Sequence, residues 1–184
     1  TDVKEIQPIL VVPSNRHGAL PFASAEEMLQ VAKDTGKELW ELGVEYEMAR
    51  SGWTRAQVME YMEYVVETME YSAKEALKGD IDMAGILSPT TGKVESYIKA
   101  QPAALDMGVL NTVVPWSMAV MEYSSAMGKV LCATTGGSAG VFPGAVLGTA
   151  THLGLGMEEK VKAMFVTAVV GIVMSKDCNY SAEL

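Results

Sequence analysis

Two cysteines in 184 residues, Cys132 and Cys178, are too few for a disulfide framework, which points to a reducing, cytoplasmic compartment. Basic residues are also scarce. Fourteen lysines and arginines stand against 23 acids, giving a net charge of -9, and no basic cluster offers a nucleic-acid surface. No run is long and apolar enough for a membrane span: the largely apolar segment 163–174 is too short. The longer charge-free stretch between Lys129 and Glu158 is broken by Pro143, His152 and many glycines. Asp2, Lys4 and Glu5 interrupt any apolar start, so no signal peptide is expected. His17 and His152 have no partners at metal-ligand spacing and read as structural or solvent-facing. Ser138 lacks a GxSxG context, and the glycines form neither GxGxxG nor a Walker A loop, which removes serine-hydrolase and dinucleotide readings. There is no internal repeat and no low-complexity tract.

What is present is one domain's worth of helical periodicity. Residues 1–20 read as an N-terminal arm or linker, with a possible short strand at Ile9–Val12 punctuated by Pro8, Pro13 and Gly18. Residues 21–184 form the helical domain. Ser24 is a good N-cap for Ala25–Thr35, Glu26 and Glu27 suit its first turn, and Gly36 stops it. Lys37–Arg50 follows, with Gly52 beyond its end. Thr54 then caps a long helix, Arg55–Lys78, closed by Gly79. In that helix Val58, Met62, Val65, Val66, Met69 and Ala73 recur on one face, leaving Glu60, Glu63, Glu67 and Glu70 outside. Its methionines and tyrosines read as core. Ser88–Gly92 is an irregular loop, either a connector or a substrate-side element. Lys93–Gln101 is a short helix ended by Pro102, and Leu105–Met127 another, kinked at Pro115. Its Glu122 is the only acid between Asp106 and Glu158. A lone acid in so apolar a setting implies a function or a buried hydrogen bond. Val141–Leu155 and Glu158–Met174 complete an all-α domain of about seven helices, the last apolar nearly all round and hence central.

The organising stretch is Gly128–Gly156, charge-free after Lys129 and expected to be buried. Thr134, Thr135, Gly136, Gly137 and Ser138 gather backbone NH groups and hydroxyls in a glycine-rich turn that opens a central helix. Such a turn is a cradle for a carboxylate or phosphate.

The stretch from Ala119-Val-Met-Glu through Cys132-Ala-Thr-Thr-Gly-Gly-Ser-Ala-Gly-Val-Phe-Pro-Gly resembles the signature of iron-sulfur-dependent L-serine dehydratases, in their alpha or catalytic part. The segment from Pro21-Phe-Ala-Ser-Ala to Glu47-Met is similar to the start of the same domain, so the likeness covers about Pro21 to Met174. It implies elimination of water from L-serine to give aminoacrylate and then pyruvate and ammonia. A 4Fe-4S cluster would serve as Lewis acid on the substrate hydroxyl. The resemblance also implies substrate-binding roles for Thr134, Thr135, Gly136, Gly137, Ser138, Glu122 and Lys93, the last because Lys93 and Tyr97 match a Lys and Tyr of the family. No pyridoxal-phosphate lysine site is recognisable. L-serine is the implied small-molecule partner, and methionine-rich faces point to a homo-oligomer or a complex with a second dehydratase chain.

The sequence departs from the family at three places. Ala133-Thr134-Thr135-Gly136 lacks the family's proline and is one residue shorter; Ser175–Leu184 replaces an Asn-Ala-Ser segment; and the family's cluster cysteines all lie beyond the residues given. No metal ligands are therefore assigned. Cys132 reads as a small buried residue and Cys178 as lying near the site, with Asn179 and Ser181 able to imitate the missing segment's polar groups. The alternative function is a non-catalytic helical binding or assembly module that keeps the turn and has lost the cluster.

Overall fold

The structure is a computed structural model that describes residues 18–83, 85, 87–101, 106–131 and 137–175. The Ile9–Val12 segment, His17, Cys132, Thr134, Thr135, Gly136, Cys178, Asn179 and Ser181 lie outside the described residues. Within them the fold is all-α, with seven helical segments and no strand.

The local signals act as expected at the first three helices. In α1, Ala25–Thr35, the Ser24 hydroxyl accepts from the Glu27 amide at 3.2 Å, and Gly36 takes the left-handed conformation that ends it. α2, Leu39–Ser51, begins two residues later than the pattern predicts, because Glu38 and Glu41 form the capping box and leave Lys37 outside. α3, Arg55–Leu77, starts at a capping box between Thr54 and Gln57. α4, Thr91–Ala100, begins two residues before the predicted Lys93. α5, Leu110–Ser125, starts five residues after the predicted Leu105 and contains the buried Pro115. α6 is one continuous segment: α-helix over Ser138–Pro143, a π turn over Gly144–Gly148, and α-helix again over Thr149–His152. α7 runs Met157–Met174.

α5, and not α7, is the central helix, packed against α3, α4 and α6. The main core brings together Val58, Val66 and Met69 of α3 with Trp116 and Val120 of α5, Leu147 of α6, and Val161 and Phe165 of α7. Fully burying a side chain such as Leu147 contributes about 1.5–3 kcal/mol. Phe22, Met28, Leu42 and Val169 form a second, smaller cluster between α1, α2 and α7.

Three expectations are corrected. Glu70 is buried rather than outside, because Lys74 and Lys160 accompany its carboxylate. α7 buries Val161, Met164, Phe165 and Val169 but leaves Val170 and Met174 exposed, since helices cover only one side of it. The charge-free stretch is buried on one face only: Gly140, Pro143, Gly144, Leu147 and Gly148 turn inward, while Val141 and Leu153 are exposed.

The α5–α6 contact is close because glycines line it. A Cβ on Gly144 would sit 1.9 Å from the Ser117 hydroxyl oxygen, and one on Gly140 would sit 2.8 Å from the Ser117 carbonyl oxygen. A π turn commonly marks a functional position, and here it lies in the helix that begins at Ser138.

Candidate functional site

Two of the predicted residues meet at the junction of α4 and α5. The Glu122 carboxylate is 9% exposed and caps the start of α4 from another helix. Its Oε1 accepts from the Thr90 amide at 2.8 Å, the Thr90 hydroxyl at 2.7 Å and the Thr91 amide at 3.1 Å. The Thr90 side chain gives no cap of its own, so the Thr91 amide, the first of the helix, is satisfied by this distant acid. Burial opposes the charge on Glu122, but the hydrogen bonds from Thr90 and Thr91 outweigh it and hold the carboxyl below its ordinary value. The buried Thr91 hydroxyl has no hydrogen-bond partner among the described residues. Lys93 lies in the same turn, its amide bonded to the Thr90 carbonyl at 3.0 Å, and its side chain is exposed.

The early start of α4 follows from this arrangement. A cap 32 residues away leaves no trace in local sequence, whereas a Ser or Thr three residues ahead of its target does. A further non-local cause is the approach of α3 and α4: a Cβ on Gly92 would lie 2.8 Å from the Gly79 Cα.

Past Glu122, α5 ends in a Schellman turn. The Gly128 amide bonds to the Tyr123 carbonyl at 2.8 Å and the Met127 amide to the Ser124 carbonyl at 3.0 Å. Met127 occupies the left-handed position at φ 60°. Gly128 lies against Tyr123, where a Cβ would be 2.4 Å from the ring. Next, Lys129 donates to the Tyr64 hydroxyl, and this cation lowers the Tyr64 pKa. No sequence signal joins Tyr64 to Lys129, which are 65 residues apart.

Gly137 is exposed and Ser138 is half-buried as the first residue of α6. The α6 face beginning there reaches α5 at Met121, where Gly140 rests, one residue before Glu122. One short segment of α5 thus supports both the α4 end, with Glu122, and the α6 end, with Gly137 and Ser138. Thr134, Thr135 and Gly136 lie outside the described residues. His152 is exposed and pairs through Nδ1 with the Thr112 hydroxyl at 3.2 Å. Among the described residues there is no group of three or more His, Cys, Asp or Glu able to hold a metal ion, so these residues do not fit a cluster site. No helix is long and apolar enough to cross a membrane among them.

The model of a family described as serine dehydratase alpha chain matches residues 34–184. The chain is 22% identical over 160 residues to a probable L-serine dehydratase, alpha chain, of Bacillus subtilis, covering 87% of this chain and 53% of that protein. It is also 22% identical over 160 residues to the L-serine dehydratase, alpha chain, of Peptoniphilus asaccharolyticus, covering 86% and 54%. L-serine dehydratase 1 of Escherichia coli is 28% identical over 138 residues, covering 72% and 29%. The chain spans about half the length of the two alpha chains it matches.

Proposed function

The chain belongs to the serine dehydratase alpha chain family, and from that premise we propose that it forms part of the catalytic unit of an L-serine ammonia-lyase. The observation that carries this reading is the family match over residues 34–184, which contains every residue assigned to the site. The reaction removes the α-hydrogen and the hydroxyl of L-serine as water, giving 2-aminoacrylate, which tautomerises and hydrolyses to pyruvate and ammonia.

In this reading the turn at Thr134, Thr135, Gly136, Gly137 and Ser138 receives the substrate carboxylate through NH groups and hydroxyls. The exposure of Gly137 and the helical start at Ser138 support that role. Glu122 acts by holding the Thr90–Thr91 turn, and Lys93 presents an ammonium group beside it. Each would orient substrate or shape the site's wall. The 4Fe-4S cluster implied by the family would supply Lewis-acid activation of the hydroxyl, and none of the described residues is assigned to hold it. The unit works in a soluble, cytoplasmic setting, with a second dehydratase chain or further copies completing it.

The test is pyruvate formation from L-serine by anaerobically purified protein, alone and with its companion dehydratase chain. Activity that falls by about 10²-fold in Ser138→Ala, with the fold intact, supports the reading. Absence of iron and of pyruvate under both conditions overturns it in favour of a binding module.

A further inference from the structure

At the other end of α5 from Glu122, a cavity of about 150 Å³ opens between α4 and α5. Asn111 and Glu122 are eleven residues apart on one helix, about three turns, so the cavity is separate from the site above. Its apolar wall is Ile98, Pro115 and Trp116, and its polar groups are Glu95, Lys99, Asn111 and Thr112.

Three observations mark it as more than a packing gap. The Asn111 carboxamide oxygen is buried with no hydrogen-bond partner among the described residues, a condition that native interiors seldom leave unanswered. Pro115 has no amide proton to give the Asn111 carbonyl four residues earlier, so a second acceptor of the same residue loses its helical partner. Glu95 and Lys99 form an ion pair at 2.9 Å, placing one charge of each sign at the cavity with no net excess.

An uncharged but dipolar ligand matches that balance. We propose that this cavity binds a small zwitterionic amino acid. Its ammonium group lies between the Asn111 carboxamide and the Glu95 carboxylate, its carboxylate lies at Lys99, and its side chain rests on Pro115 and Trp116. The terminal torsion of Asn111 is soft, so a turn of the carboxamide presents its oxygen to the ammonium group. The volume is far above what one water needs and holds a ligand the size of alanine. Thr112, which lines the cavity, is bonded to His152 at the end of α6, so occupancy touches the helix whose other end opens at Ser138. The site is independent of the proposed lyase reaction.

The experiment titrates L-alanine into the 184-residue chain by calorimetry and by amide chemical-shift mapping. The expected result is saturable binding with shifts centred on 95–99 and 111–116. Glu95→Gln and Lys99→Gln, both at solvent-accessible positions, each weaken it by about tenfold or more. Ser138→Ala leaves the shifts at 95–99 and 111–116 and their midpoint unchanged, which separates this cavity from any alanine held at the substrate turn. Methylamine and propionate, each carrying half of the ligand's charge pattern, bind more weakly than alanine. No saturation, equal binding of methylamine and alanine, or loss in Ser138→Ala but not in Lys99→Gln would each overturn the proposal.

Discussion

Glu122 and Thr90 lie 32 residues apart and are joined twice, the carboxylate accepting from the Thr90 amide at 2.8 Å and from its hydroxyl at 2.7 Å. This acid is the N-cap that α4 lacks locally, so α4 is docked and capped in one event. Stability and site geometry depend on the same carboxylate.

Replacing Glu122 by Gln keeps an acceptor but removes the charge, and should cost about 1–2 kcal/mol in denaturant unfolding. Because the folded pKa lies below the unfolded one, this contribution is full above the ordinary carboxylate range and is lost as pH falls through the lowered folded value. The wild type should therefore lose stability on acidification more steeply than Glu122→Gln. Parallel acid limbs would show that the carboxylate does not act as described.

Gly144→Ala places a methyl group 1.9 Å from the Ser117 hydroxyl oxygen and 2.9 Å from the Ser117 Cα. Overpacking of this kind should cost about 1–3 kcal/mol. Ser117→Gly in the same chain should recover part of that loss, and a double-mutant cycle measures the coupling. Strict additivity would mean that α5 and α6 move apart instead.

Glu70 is held by Lys160 at 2.6 Å and by Lys74 at 2.5 Å, joining α3 to α7. Burial raises its pKa, but the two ammonium groups more than reverse this and hold it low. Lys160→Met should destabilise the fold by about 1–3 kcal/mol, less than a fully orphaned buried charge because Lys74 remains. Adding Glu70→Gln should restore part of the stability, read as a rise in melting temperature over the single variant.

Met127 is 91% exposed and left-handed, so its side chain is almost wholly in solvent while its backbone carries strain. Met127→Gly should stabilise the protein by about 0.5–1 kcal/mol in thermal or denaturant melts. A loss of stability would show that the methionine makes contacts worth more than the strain.

Where the determinants were local, the fold was legible in the amino-acid order. Ser24 and Gly36 bound α1, Thr54 starts α3, and the spacing of Val58, Val66, Met69 and Ala73 marks its buried face. What escaped was set across space. Glu70 reads as a surface acid until Lys160 arrives from 90 residues away, and the early start of α4 depends on Glu122. Glu122 itself was legible as a lone acid in apolar surroundings, though not the partners it would find. The cavity at Asn111 gave no signal, since it exists only once α4 lies against α5.

The π turn at Gly144–Gly148 gives the glycine seam its straightness. In a regular α-helix, residues four apart drift by about 40° around the axis, so Gly140, Gly144 and Gly148 would spiral away from a straight neighbour. The wider π turn takes up that drift in its second half, and Gly148 still faces Val113 and Trp116. The helix is thereby phase-corrected in mid-course. Were residues 138–152 α-helical throughout, Gly148 would stand about 80° around the axis from Gly140. Gly140 would then turn away from the α5 face against which Gly148 is seated.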